Sequence, residues 1–193
     1  MRTQVALHHA SRLINHGPTV LVTSAANGQR NVMAAAWSMP VEFTPPRVAV
    51  VIDKSTFTRE LVLAGAAFAL SIPGRALADL TYTVGSVSGR DGGDKFARYG
   101  IETFAGPALG LPLIEGCIAW LECRLIPEPH AQQAYDTCFG EVLSAFADER
   151  VFAQGRWSFR DDNLEQHTLH HLGGGQFAWP ARSLQARVLP NVR

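Results

Sequence analysis

The chain is short of lysine, short of cysteine and without an excess of charge of either sign. Of its 193 residues seventeen are basic and seventeen acidic, and the cations are almost all arginine, leaving only Lys54 and Lys95. A formal net charge of zero gives no long-range field to draw in nucleic acid or an anionic membrane, so neither is an expected partner. The three cysteines, Cys117, Cys123 and Cys138, are odd in number and have no C-x-x-C spacing. That argues against a disulfide framework or a cysteine-based zinc site and for a reducing compartment. No apolar run approaches the roughly 18 residues of a spanning helix. The stretch from Met1 to His16 interleaves Arg2, His8, His9 and Arg12 with its apolar residues, unlike a secretory signal. A cytoplasmic protein is expected. Also missing are a G-x-G-x-x-G after the first strand and a G-x-x-x-x-G-K-[ST] loop, which argues against Rossmann and Walker-type nucleotide sites.

What is present is a good core former, with 47% hydrophobic and 18% charged residues. A β-branched segment, Thr19–Ser24, and the segment Arg30–Trp37 flank Asn27-Gly28, the preferred pair for a type I′ turn, so they predict a hairpin. After the break at Thr44-Pro45-Pro46, Arg47–Ile52 reads as a central strand, apolar on both faces. Ser55 or Thr56 can cap a helix running to about Ala64, with Gly65 as its terminator. Ala67–Ile72 is a strand, Arg75–Val84 a short helix, Gly85–Asp94 an irregular loop, and Lys95–Tyr99 one helical turn closed by Gly100. In Gly116–Ile126 the period-2 alternation predicts a half-exposed strand. Thr137–Leu143 is another, with Gly140 marking a bulge or a close backbone approach. From about Leu172 an irregular arm is expected. One domain over 1–193 follows, mainly β: short antiparallel strands with helical insertions, closing toward a small barrel.

Three segments could carry chemistry. In Asn31-Val-Met33-Ala34-Ala35-Ala36-Trp37 a run of alanines leaves space on a strand, fitting either a packing groove or a bed for a flat ring. In Asp53-Lys54-Ser55-Thr56-Phe-Thr58-Arg59, hydroxyls and cations gather where a strand ends and a helix begins. A simple N-cap would explain the hydroxyls; an anion held at the helix terminus would also use Lys54 and Arg59, and a single phosphate suits it best. The third, Ser86-Val-Ser88-Gly89-Arg90 with Asp94-Lys95, is a flexible loop with two cations, either solvated or part of a site. The pairs His8-His9 and His170-His171 diverge in direction, whereas His167 and His171 would share a helix face at i, i+4, without a third ligand. No metal site is expected.

N-x-M-x-A-x-W on the second strand, Pro-Pro before an apolar strand, S-T-x-T-R, S-G-R-x-x-x-D-K-F and a late, slightly expanded H-x-G-G-x-F (His171-Leu-Gly-Gly-Gly-Gln-Phe177), in that order, resemble the flavin reductase family. The similarity runs from about Leu13 to Phe177. It implies a Greek-key antiparallel split β-barrel of the FMN-binding type, and a homodimer with FMN near the interface. It implies that Asn31, Met33, Ala34, Ala35, Ala36 and Trp37 lie along the ring and ribityl chain, that Asp53–Arg59 holds the phosphate, and that Ser88, Gly89, Arg90 and Lys95 close the site. His171 would touch the flavin edge. Ala34 stands where many relatives have threonine. The implied activity is electron transfer from NADH or NADPH to flavin and on to an acceptor, which could be a protein or a monooxygenase component. The alternative is an FMN electron carrier of the flavoredoxin kind, without its own nicotinamide site.

Overall fold

The computed structural model describes residues 1–189. In chain order its strands are β1 (Arg2–Gln4), β2 (Val20–Ala26), β3 (Gln29–Ala35), β4 (Ser38–Phe43), β5 (Pro46–Val51), β6 (Ala67–Ile72), β7 (Thr103–Ala105), β8 (Pro112–Ile114), β9 (Ala119–Ile126), β10 (Thr137–Asp148), β11 (Phe152–Ala153), β12 (Arg156–Trp157), β13 (His170–Gly173) and β14 (Gln176–Ala178). The α-helices are α1 (Phe57–Gly65), α2 (Ala78–Ser86), α3 (Lys95–Arg98) and α4 (Pro129–Ala134). The main antiparallel sheet runs β3-β2-β6-β9-β10-β5-β4, with β1 added on β10. It is the expected split barrel, mainly β. Its inner face holds Leu13, Val22, Val50, Phe68, Leu70 and Leu121. A second apolar layer, with Leu21, Val84, Phe96, Leu113 and Trp120, covers the outer face of β2, β6 and β9.

The hairpin forms as expected, with Asn27 and Gly28 both at positive φ (53° and 74°), the requirement of a type I′ turn. Thr56 caps α1, accepting from the Arg59 amide at 3.3 Å. The helix does not end where glycine suggested: Gly65 is its last residue and Ala66 takes the left-handed conformation (φ 49°). Gly65 is needed for closeness instead, since a Cβ there would lie 2.7 Å from the Ala25 carbonyl oxygen on β2. Likewise Gly85 and Ser86 belong to α2, and the irregular loop begins after them.

β9 corrects a second expectation. Its alternation predicted a wet face, yet Ala119–Cys123 are all buried. Trp120 donates to the Ile114 carbonyl at 2.8 Å, under the β7–β8 cover. Glu122 is sealed by the Ala108 and Leu109 amides (2.9 and 2.8 Å) and the Ser144 hydroxyl (2.6 Å). A buried carboxylate with three donors alternates with apolar neighbours as a solvent-facing one does.

Gly140 proves to be a close approach, and the bulge falls three residues on, between Val142 and Ser144. A Cβ at Gly140 would sit 2.6 Å from the Phe68 ring and 2.8 Å from the Cys123 Cβ, both fully buried. Gly140→Ala should therefore cost about 1–3 kcal/mol by overpacking. Urea unfolding should show a lower midpoint at unchanged m-value. The arm beyond Leu172 is not irregular throughout, because β13 and β14 pair as a hairpin before the chain loses regular structure at Trp179. Residues 190–193 of that arm lie outside the described residues.

Candidate functional site

Two cavities meet beside the edge strand β3, sharing Gly85 and Ser86 on α2. The first, of about 270 Å³, is bounded by Asn31 and Met33 of β3, the start of α1 from Ser55 to Thr58, the 87–89 loop and Lys95. Its rear wall is rigid. Asn31 is buried and donates from Nδ2 to Thr58 Oγ1 at 2.9 Å. Gly89 is pressed against this pair, so that a Cβ there would lie 2.5 Å from Asn31 Oδ1 and 2.9 Å from the Phe57 ring. The first amides of α1 have no partners within the helix, and its dipole favours an anion at that end.

Lys95 supplies the charge. It is only 3% exposed, and its ammonium donates to the carbonyls of Val32 (2.9 Å) and Val84 (2.8 Å). Two of its three N–H bonds are thus used, leaving one for whatever enters the cavity. Burial lowers its pKa to about 8. Among the described residues no carboxylate pairs with it.

The second cavity, of about 150 Å³, is an apolar slot floored by Ala34 and Ala36 and walled by Tyr82, His171 and Phe177. The alanines leave the room that larger side chains would fill. Across the slot a Cβ at Gly85 would stand 3.0 Å from that of Ala34, so small residues on both elements set this approach. His171 is fixed through its amide, which donates to Thr19 Oγ1 at 3.1 Å, and its ring lies 5.2 Å from Phe177. The turn at Gly173–Gly175, all at positive φ, brings Gly175 flat onto the Tyr82 ring.

The residues singled out from sequence divide accordingly. Asn31, Met33, Ser55, Thr56, Thr58, Ser88, Gly89 and Lys95 line the first cavity, and Ala34, Ala36 and His171 the second. Ala35 faces the core. Trp37 is 74% exposed and lines neither cavity. Asp53 accepts from the Ser55 hydroxyl and amide at 2.6 and 2.7 Å, which holds its carboxyl below the usual range and shapes the loop from outside. The expected cation pair is the main departure. The Arg59 guanidinium turns back to the carbonyls of Ile52, Gln132 and Asp136. Lys54 is exposed and leans on Asp136 at 3.7 Å. Arg90 bonds Glu60 and the Ser55 carbonyl beside the cavity. His167 and His171 do not share a helix face: His167 ends a 3₁₀ turn and His171 is on β13. Thr19, Tyr82 and Gly85 were not singled out, because an ordinary helix and strand start carry them and only tertiary packing brings them to β3.

The fold is thus an antiparallel split barrel that carries, beside its edge strand, a pocket walled by a helix start and a buried lysine, next to a flat apolar slot. The chain belongs to the flavin reductase-like family, whose domain description matches residues 12–167. It is 60% identical over 185 residues to the uncharacterised protein YddH of Escherichia coli, covering 94% of this chain and 96% of that one. The crystal structure of an FMN-binding domain of a flavin reductases-like enzyme from Shewanella baltica superposes with a TM-score of 0.92 at 43% identity, covering 97% and 98% of the two chains. An FMN-binding protein from Thermus thermophilus, solved with 1-cyclohex-2-enone, gives 0.76 at 27% identity over 89% and 90%.

Proposed function

We propose that this chain binds FMN across the two cavities and transfers electrons from NADH or NADPH through it to an acceptor, as a homodimer in the cytoplasm. The observation that carries the reading is a pair of cavities adjoining at Gly85 and Ser86, one with the Lys95 ammonium and the α1 terminus, the other with the Ala34–Ala36 floor. The fit is chemical. Hydroxyls, helix amides and a buried cation suit a phosphate and a polyol chain, and a slim apolar slot suits a flat ring. The bound flavin would supply the hydride and electron chemistry.

The chain's own residues bind and orient. β3 ends the sheet, so part of its backbone is not used by a neighbouring strand and can meet the polar edge of a ring. Lys95 keeps positive charge at the wall where negative charge would gather. Phe177, His171 and Tyr82 would flank the ring as the walls of the slot. For the dimer, the support is the exposed edge β4 and its approach, where Trp37 (74%), Met39 (57%) and Phe43 (70%) stand in water, more than a lone copy ordinarily shows. Three buried free cysteines accord with a reducing compartment.

Titrating the purified protein with FMN should give a yellow complex that NADH or NADPH bleaches under argon, with sizing at twice the chain mass. Bleaching by neither nucleotide would overturn the donor and leave a carrier fed by a partner protein. Failure to bind FMN would remove the whole reading.

A further inference from the structure

The β13–β14 hairpin carries His171 and Phe177 into the slot, and its two strands pair only with each other. A two-stranded hairpin is marginal in water, so its place depends on how its base is held. Thr19 holds it twice: its amide donates to the Leu169 carbonyl at 2.7 Å, and its hydroxyl accepts from the His171 amide. Beside Thr19 stands a second anchor, built of side chains. Thr168 is fully buried, with its hydroxyl 3.0 Å from His16 Nε2 and 3.4 Å from His170 Nε2. The two imidazoles lie 5.5 Å apart, and His16 meets the Trp157 ring edge-on at 5.4 Å. His16 Nδ1 is buried and has no hydrogen-bond partner among the described residues.

No carboxylate among the described residues bonds either imidazole. The charged groups on the elements packed around them are engaged elsewhere. Arg12 bonds the Gly155 carbonyl, Arg160 bonds Asp162, Glu165 faces Arg75 and Asp161 faces Arg182, while Arg156 is exposed. His167 is turned to the Arg160 carbonyl and Asn163.

We propose that His16 is a positioning residue for the slot: through Thr168 and His170 it clasps the hairpin to the segment entering β2, and the clasp releases in acid. A protonated His16 carries an N–H on both nitrogens, and the one at Nδ1 would be buried without an acceptor. Burial pushes His16 down to about 4 from the ordinary 6.5, and it lowers His170 as well, against a Gly17 backbone contact that favours the proton there. Between those two values the released hairpin binds a proton that the clasped one lacks, so closure weakens as pH falls. The inference rests on the FMN reading for one point, that the slot takes the ring.

Hydrogen exchange of the 169–178 amides, corrected for the intrinsic effect of pH, reads the opening without any flavin. Opening should rise about tenfold from about pH 7.5 to about pH 5.5, as one group moved from 6.5 to about 4 requires. In His16→Gln, whose amide can still reach Thr168 but cannot titrate, the rise should stay within about threefold. Riboflavin, which has no titrating phosphate, should lose affinity in step in the wild type and keep it in the variant. No rise in the wild type, or equal rises in both proteins, overturns the proposal. Should the variant fail to fold, NMR titration of the wild type decides: a His16 imidazole titrating near 6.5 overturns the clasp, and one near 4 supports it. A rise in opening with riboflavin affinity unmoved would keep the clasp and overturn the seating of the ring in the slot.

Discussion

Lys95→Met should lower FMN affinity about 10- to 100-fold, the worth of one charge-assisted hydrogen bond from a buried ammonium. The fold should survive, because removing a buried charge offsets the loss of the two bonds to Val32 and Val84. Fluorescence titration with FMN and with riboflavin distinguishes the role: riboflavin has no phosphate and should lose much less. Unchanged FMN affinity would mean that the ammonium serves only the two carbonyls. The same residue sets a pH dependence. Its folded pKa, about 8, lies below the ordinary 10.5, so between those values the unfolded chain holds a proton that the folded chain has released. Stability from this group therefore rises with pH across that window. Affinity for the phosphate runs the other way and should fall as pH passes about 8 in the wild type, but not in Lys95→Met.

Glu122→Ala should be the most damaging change outside the cleft. It would leave the Ala108 and Leu109 amides and the Ser144 hydroxyl without an acceptor and open a void where Gly106 lets the carboxylate approach. The buried Ser144 hydroxyl, left unpaired, costs about 1–3 kcal/mol, and the void adds to it, while the two amides belong to exposed residues and can turn to water. A loss of about 4 kcal/mol or more corresponds to a fall in Tm of about 10 °C for a chain of this length. Glu122→Gln retains one oxygen and should lose less. Calorimetric melting orders the three proteins, and a Glu122→Ala variant as stable as wild type would refute the role given to the carboxylate.

Much of the barrel could be read from local chemistry. Asn27-Gly28 fixes a turn whatever surrounds it, and a threonine before a helix caps it wherever the helix goes. What could not be read were decisions made by distant neighbours. Gly65 looked like a terminator, but its purpose is the carbonyl of Ala25. Glu122 alternates as a solvent-facing residue does because period 2 records polarity and not exposure. The cleft was legible in its hydroxyls, its glycine and Lys95. The direction of a long flexible side chain was not: Arg59 begins on the correct helical turn, yet its guanidinium finds three carbonyls behind it. Tyr82 and Gly85 gave no local signal, since only the packing of α2 on β3 makes them walls.

That helix has a mechanical consequence. It reaches the slot through Tyr82 and the seam between the two cavities through Gly85 and Ser86, and nine helical residues tilt as a unit. A methyl at Gly85 would stand only 3.0 Å from the Ala34 Cβ, so the lever has almost no play. The two chambers therefore share one stiff wall, and a bulkier residue at position 34 or 85 would disturb both together.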